Sequence, residues 1–162
     1  TTNLRYLGVP ILCLGMLTIN NFNAPTIAID KSGKFFAIKE DNGEILFSTK
    51  KVSKFTKTAW MQNLGINEFK SFDIQQKCKE GKCELQLNHS NIAVFLKDST
   101  PECSNANITI NLSETLLKCD AYSKVINAND IRKSGSHLIW LEHGDIKVKT
   151  VLDERAKRIW NS

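Results

Sequence analysis

The stretch CKEGKC, which begins at Cys78 and ends at Cys83, constrains this chain more than any other feature. Zinc knuckles and thioredoxin-like redox sites both use C-x-x-C, whereas here four residues separate the two cysteines. A loop of this length that contains Gly81 can close locally as a disulfide. Cys103 and Cys119 flank the segment NITINL and can close a second loop. We therefore predict the disulfides Cys78–Cys83 and Cys103–Cys119; the alternative is reduced cysteines without a structural role.

Paired cysteines predict a domain that is exported across a membrane, because disulfides persist in oxidising compartments. The N-terminal segment fits this, since no charged residue occurs from Tyr6 to Ile19. That run is shorter than the roughly 20 apolar residues of a full membrane span. We interpret residues 1–22 as the end of a transmembrane helix and residues 23–162 as a periplasmic C-terminal domain. A signal-peptide core after Arg5 and a buried core helix are the alternatives.

The length of 162 residues predicts one domain, and the pattern of the chain after residue 22 predicts a β-rich α+β fold. The segments TIAID, KFFAIKE and EILFST alternate in hydrophobicity, as half-buried strands do, and turn residues separate them, so they predict an antiparallel meander. The segment SKFTKTAWMQNLG predicts a helix that Ser53 caps and Gly65 ends, with Phe55, Trp60 and Leu64 on its core face. Six further strands are predicted, and no internal repeat is evident. They are ELQLN, IAVFLK, NITINL, SKVINA, HLIWLE and IKVKTVL.

The residues that carry most enzyme chemistry are scattered in this sequence. His89, His137 and His143 occur in no zinc-binding pattern, and we interpret them as exposed turn residues. His137 and His143 flank one predicted strand, which would hold them about 20 Å apart. No nucleophile elbow, phosphate loop or dinucleotide fingerprint occurs. We therefore predict a protein that is not an enzyme, with no catalytic residue, no metal site and no cofactor.

The basic C-terminal end is the one candidate binding site. The net charge of +5 weakly favours the binding of polyanions. Arg155, Lys157 and Arg158 lie next to Trp160, which could stack on a nucleotide base. These four residues are the predicted nucleic-acid contacts. The alternatives are a solvated amphipathic end with Trp160 packed on the sheet, and a lysine excess that reflects an AT-rich genome.

Two long segments carry a family resemblance. One runs from Ile27 to Gly65, IAIDKSGKFFAIKEDNGEILFSTKKVSKFTKTAWMQNLG, and the other is VINANDIRKSGSHLIWLEHGDIKVKTVLDERAKRIW. With the preceding apolar run and the four cysteines, this order resembles the C-terminal region of ComEC-type competence proteins of alphaproteobacteria. Those are polytopic inner-membrane proteins that pass transforming DNA into the cytoplasm. The likeness covers nearly the whole chain, but Thr26 and Ile159 stand where that family often has Asp and Pro.

The resemblance implies a C-terminal fragment of an inner-membrane DNA-uptake channel protein, with its soluble domain in the periplasm. Many relatives carry a metallo-β-lactamase-like region there, but the metal motif is missing, so the resemblance implies at most a degenerate, metal-free and non-catalytic relative. The implied partners are the upstream transmembrane channel of the same protein, the inner membrane and single-stranded DNA, bound weakly and without sequence specificity. Two alternatives stay open: a secreted, disulfide-stapled binding domain with a cleaved signal peptide, and an enzyme whose site includes an upstream part.

Overall fold

The computed structural model describes residues 24–49, 51–68, 70–71, 78–87, 89–119, 123–142 and 145–156. These residues form eleven strands and three helices, which confirms the predicted strand-rich α+β class. The strands are β1 (Ile27–Ile29), β2 (Phe36–Lys39), β3 (Ile45–Phe47), β4 (Lys70–Ser71), β5 (Cys78–Lys79), β6 (Lys82–Leu87), β7 (Ser90–Phe95), β8 (Ile108–Asn111), β9 (Lys124–Asn127), β10 (His137–Glu142) and β11 (Asp145–Thr150). The helices are α1 (Lys54–Leu64), α2 (Ala128–Ser134) and α3 (Val151–Ala156).

The predicted membrane segment, residues 1–22, lies outside the described residues. Within the described ranges, no helix has the length and apolar character that a membrane crossing requires.

The strands form two sheets with different connections. The first has six strands in the order β11-β10-β1-β2-β3-β4, and only its β3–β4 pair is parallel. It contains the predicted meander, β1–β2–β3, in antiparallel register. The second sheet has the order β5-β6-β7-β8-β9. Its first three strands are antiparallel neighbours, whereas β7, β8 and β9 run parallel.

The main hydrophobic core lies between the two sheets. Ile27, Ile38 and Ile139 of the six-stranded sheet belong to the same buried cluster as Ile92 and Ile110 of the five-stranded sheet. All five are at most 1% exposed. Burial of apolar area at roughly 25 cal/mol per Å² is the main favourable term in such a two-layer arrangement. The two sheets therefore form a sandwich.

A second apolar layer covers the outer face of the six-stranded sheet. There α1 packs Leu64 and Trp60 against Phe35 and Phe47. The prediction of half-buried strands is therefore wrong for β2 and β3, because the sandwich covers one face and α1 covers the other. The predicted core position of Phe55 is also wrong, since its side chain is 84% exposed.

The ends of α1 lie where the sequence predicts them. The Ser53 hydroxyl accepts a hydrogen bond from the backbone N–H of Thr56 at 3.1 Å, which satisfies one of the free donors of the first turn. Gly65 adopts the left-handed conformation with φ 68°, and its N–H donates to the carbonyl of Gln62. Only glycine takes this conformation at no steric cost, so the helix ends there.

The parallel strands carry a periodicity that the sequence analysis missed. Ile92 pairs with Ile108, and Ile108 pairs with Lys124, so partners in successive strands are 16 residues apart. The same offset separates Cys103 from Cys119. The expectation of no internal repeat is therefore wrong at the structural level. The repeat is hard to see in the sequence because few residue types recur at equivalent positions.

Candidate functional site

Both predicted disulfides are present. Cys78 lies directly opposite Cys83 in the β5–β6 hairpin, with a Cα–Cα distance of 4.0 Å. The turn between them places Glu80 and Gly81 at φ 50° and φ 79°, conformations that glycine adopts easily. A Cβ at Gly81 would lie 2.8 Å from the Cβ of Ser99, so the site also requires the small residue. The CKEGKC motif is thus a disulfide-closed hairpin.

The second disulfide joins two successive connections between the parallel strands β7, β8 and β9. Cys103 follows β7 and Cys119 follows β8, with a Cα–Cα distance of 5.6 Å. Because their separation equals the 16-residue strand offset, the disulfide joins equivalent positions of neighbouring repeats. It therefore cross-links the two connections of the parallel strands.

A buried polar network lies at the carboxyl ends of β8 and β9. The side-chain amide of Asn111 donates to the Asn127 side-chain oxygen at 2.9 Å and to the Thr115 carbonyl at 2.6 Å. The Asn111 side-chain oxygen accepts from the N–H and the hydroxyl of Ser113 at 3.0 and 2.7 Å. Asn127 in turn exchanges two hydrogen bonds with the backbone of Leu117. These side chains hold the β8–β9 connection against the ends of both strands, so we interpret the network as structural.

His137 is a buried residue of β10 rather than an exposed turn residue, so the expectation for it is wrong. Its side chain is 4% exposed, and its Nδ1 lies 2.8 Å from the carbonyl of Gly135. His89 lies in the β6–β7 turn with φ 62°, and His143 is outside the described residues. In the described part of the chain, no group of three or more His, Cys, Asp or Glu side chains is placed to hold a metal ion.

A groove of about 620 Å³ on the outer face of the six-stranded sheet is the best candidate for a binding site. It lies between α1 and α3, over β1, β10 and β11, and we call it the tryptophan groove. Its aromatic side chains are Trp60 and Trp140, and Leu138 and Val151 add apolar surface. Lys149 supplies positive charge.

The two tryptophans are held in different ways. Trp60 packs edge-on against Phe35, with ring centroids 4.7 Å apart, and against Phe47 at 6.3 Å. It is therefore fixed by the apolar layer under α1 and presents its remaining surface to the groove. Trp140 is half-buried on β10, and the Lys149 ammonium nitrogen lies 5.6 Å from its ring centroid. That distance suits a cation–π interaction, which fixes the charge beside the ring.

The β10–β11 register brings the cations and the apolar groups together. Trp140 pairs with Lys147, and Leu138 pairs with Lys149, so all four side chains lie on the outer face of the sheet. Lys149 also lies 4.0 Å from the Glu154 carboxylate of α3, an exposed pair of small energetic weight. The groove therefore combines two aromatic faces with positive charge that is partly neutralised.

The structure places part of the predicted basic tail beside this groove. Arg155 is an exposed residue of α3, whose Val151 and Glu154 line the groove. The other three predicted contacts, Lys157, Arg158 and Trp160, lie outside the described residues. Sequence reasoning missed Trp140 as a site residue. A signal was available in the sequence: Trp140 alternates with core-facing residues in HLIWLE, and a two-residue turn pairs this strand with the lysines of IKVKTVL.

A second cleft, of about 330 Å³, opens between the sheets near the carboxyl ends of β7 to β9. Lys34, Lys97 and Arg132 line it, but so do the carboxylates of Asp98 and Glu114. Lys97 and Glu114 approach to 3.8 Å. The two carboxylates offset most of the positive charge, so this cleft indicates a ligand class less clearly than the tryptophan groove does.

Lys82, on the five-stranded sheet, forms ion pairs with two carboxylates. Lys82 donates to the carboxylates of Glu84 at 2.9 Å and Glu102 at 3.0 Å, and its ammonium lies 5.7 Å from the Phe95 ring centroid. The hydrogen bond to Glu84, followed by that to Glu102, raises the pKa of Lys82 above its ordinary value of 10.5. The lysine therefore stays charged at all physiological pH values. It forms ion pairs at the surface of the sheet and does not serve in proton transfer.

Comparison of the chain with family models, curated proteins and solved structures gave no match.

Proposed function

We propose that this chain is the non-catalytic C-terminal part of an inner-membrane DNA-uptake protein of the ComEC type, and that its exported domain contacts single-stranded DNA through the tryptophan groove. The observation that carries the DNA contact is the position of Trp60 and Trp140 along one groove with Lys149 fixed beside the second ring. The resemblance of the two long sequence segments supports the family.

Aromatic faces beside cations are what a single strand requires. Every base has a π-face, and base–aromatic stacking is worth about 1–3 kcal/mol per base without sequence preference. Lys147 and Lys149 lie within one sheet face, so they can follow the phosphates of a strand whose bases stack on the indoles. Arg155 extends the positive charge along α3. The expected binding is weak, since Glu154 neutralises part of this charge.

The two disulfides support a periplasmic location for this domain, because they would be reduced in most cytosolic environments. In this proposal residues 1–22 form the end of a transmembrane helix and connect the domain to an upstream channel. The proposal includes a degenerate, metal-free relationship to metallo-β-lactamase-like domains, for which two facing sheets with outer helices are a suitable layering.

Fluorescence anisotropy with a labelled oligothymidylate tests the DNA contact. Trp140→Leu should weaken binding about tenfold, which is the loss of one stacked base. Lys149→Gln should weaken it less and should reduce its salt dependence, since each phosphate contact contributes a slope of about −0.7. Lys118→Gln is the matched control, because this exposed lysine follows β8 on the other sheet. Absence of binding at low salt would contradict the proposal.

The predicted tail contacts have a separate test. Replacing Arg155, Lys157 and Arg158 with Ala should flatten the salt dependence further without unfolding the domain. With three phosphate contacts, affinity should fall by about an order of magnitude between about 50 and about 200 mM salt. A triple variant with the slope of the unchanged protein would restrict the interface to the tryptophan groove.

A secreted binding domain with a cleaved signal peptide is the second candidate, and the disulfides favour it equally. N-terminal sequencing of the exported protein distinguishes the two, because cleavage would give a start near residue 25. Three Asn-x-Ser/Thr glycosylation motifs occur, at Asn88, Asn107 and Asn111, and the two that the structure describes give this candidate little support. Asn111 is fully buried within its hydrogen-bond network, and the Asn107 side chain accepts a hydrogen bond from the N–H of Asn91.

A further inference from the structure

The first turn of α1 exposes a large apolar side chain among lysines. Phe55 is 84% exposed, more than any other large hydrophobic residue that the structure describes. Residues 48–67 contain no Asp or Glu but four lysines, namely Lys50, Lys51, Lys54 and Lys57. This stretch therefore has a concentrated positive charge around one apolar protrusion.

The charges of this turn are unfavourable for the helix itself. The N-terminal end of a helix carries a partial positive charge and prefers Asp or Glu, yet the first turn of α1 has no acidic residue. An exposed phenyl ring also contributes no packing to the fold. The lysines are unfavourable at this helix end and the phenyl ring does not stabilise the fold, so a role in contacting something outside the domain explains them better than a role in folding.

Phe55 faces away from the tryptophan groove and the sheet. At about 100° per residue, the five-residue step from Phe55 to Trp60 places their side chains about 140° apart around the helix axis. Trp60 packs on the sheet through Phe35 and Phe47, so Phe55 points outward. Lys51 and Lys54 are exposed beside it. We call these three residues, Lys51, Lys54 and Phe55, the Phe55 patch.

We propose that the Phe55 patch docks onto the surface of an anionic lipid bilayer. A bilayer surface accepts a single apolar wedge, because the phenyl ring enters the boundary between head groups and acyl chains while lysines remain among the anionic head groups. Single-stranded DNA suits the patch less well, since the second aromatic side chain of this helix, Trp60, lies on the opposite side. Each lysine near an anionic surface strengthens binding about fivefold.

Docking of this patch would orient the domain. The tryptophan groove, on the other side of α1, would then face away from the lipid and stay open to a strand. The inference is independent of the DNA contact proposed above, because it concerns different residues and a different class of partner.

Photocrosslinking of the full chain tests the proposal. Phe55 is replaced with p-benzoylphenylalanine, and the protein is mixed with vesicles of about 30% phosphatidylglycerol in phosphatidylethanolamine or with pure phosphatidylcholine vesicles. The matched control places the same crosslinker at Leu116, which is 58% exposed in the β8–β9 connection of the other sheet. This design reports the contact of one position, so any other contact of the chain with lipid does not obscure it.

We expect position 55 to crosslink to lipid at least tenfold more than position 116, and only with anionic vesicles. Lys51→Glu with Lys54→Glu should lower that yield at least tenfold, whereas the charge-matched pair Lys79→Glu with Lys118→Glu should leave it within twofold. Equal yields at the two positions, equal yields with neutral lipid, or equal effects of the two charge reversals would each overturn the proposal. Crosslinking of position 55 to an added oligothymidylate instead of lipid would overturn it in favour of a nucleic-acid contact.

Discussion

The two sheets of this domain reach stability by different routes. The six-stranded sheet consists mainly of antiparallel neighbours, and its outer face is completed by an apolar layer of Phe35, Phe47 and Trp60 under α1. The parallel strands β7, β8 and β9 instead depend on a buried amide network and on one disulfide that joins the connection after β7 to the connection after β8. A short turn can join two antiparallel strands, whereas two parallel strands are joined only through a connection of about a dozen residues.

This difference explains where the polar core residues are. A long connection without a helix must satisfy the backbone groups that it buries, because each unsatisfied group costs about 1–3 kcal/mol. Asn111 and Asn127 do this by bonding to carbonyls and N–H groups of the β8–β9 connection. On the six-stranded side, the antiparallel ladders of β1, β2 and β3 pair the backbone groups themselves, and hydrophobic burial completes the outer face.

The largest expected loss of stability comes from the apolar layer. Phe47→Ala should lower the free energy of unfolding by about 4 kcal/mol, because Phe47 is fully buried and removal of such a ring leaves a cavity. Urea denaturation followed by far-UV circular dichroism measures the change. Phe55→Ala is the control in the same layer of the fold, and its effect should be within about 0.5 kcal/mol. Equal effects of the two variants would mean that α1 does not pack as described.

The next largest effect tests the amide network of the parallel side. Asn111→Ala should cost about 3 kcal/mol, since it leaves the groups bonded to Asn111 unsatisfied in a buried site. Asn107→Ala removes one hydrogen bond from an exposed side chain and should cost about 1 kcal/mol or less. The measurement is again equilibrium unfolding in urea. If the two variants cost the same, the network does not organise the parallel strands.

The two disulfides should differ in importance. In the chain-entropy treatment, closing a loop of about 15 residues contributes about 3 kcal/mol, and closing the short loop at Cys78 contributes about 2 kcal/mol. Cys103→Ala with Cys119→Ala should therefore destabilise the domain more than Cys78→Ala with Cys83→Ala. Unfolding under non-reducing conditions gives the difference, and peptide mapping of the unchanged protein checks both pairings. Free thiols at all four positions in protein from the periplasm would refute the prediction of an exported domain with two disulfides.

The smallest expected effect concerns the surface ion pairs of the five-stranded sheet. The pKa of Lys82 is raised above 10.5 in the folded state, so its ion pairs stabilise the fold fully below about pH 10.5 and lose that contribution as the pH rises through the folded-state pKa. Each pair is worth no more than about 1 kcal/mol.

Lys82→Met should therefore reduce stability slightly and by a constant amount between pH 6 and 9. The difference from the unchanged protein should narrow at higher pH, and Lys79→Met, at the exposed neighbouring position, should show no such convergence. Urea denaturation at a series of pH values measures this. A gap that widens above pH 10.5 would contradict the sign of the shift.

Sequence patterns predicted the local elements of this fold. The β-forming residues and the turn of β2 and β3, the capping serine at Ser53 and the left-handed glycine at Gly65 each act within a few residues, so a one-dimensional pattern contains their physical cause. The pairing of Cys78 with Cys83 was predictable for the same reason, since a short loop leaves few partners.

The exposure of Phe55 was predictable from the helical repeat, because Phe55 lies about 140° from Trp60 and about 180° from Leu64 around the helix axis. The role of Trp140 was not predictable from such local patterns. Trp140 becomes a groove residue because β10 lies between β1 and β11, which brings Lys147 and Lys149 beside it.

The sequence by itself determined the helices and strands, the turns between them and the disulfide bonding of the cysteines, because these depend on near neighbours along the chain. Only the tertiary structure decided that β7, β8 and β9 run parallel with a 16-residue offset, that Asn111 is buried, and that two tryptophans from distant segments share one groove. Those features depend on contacts between residues far apart in sequence, and such contacts form only when the two sheets bury their apolar faces against each other.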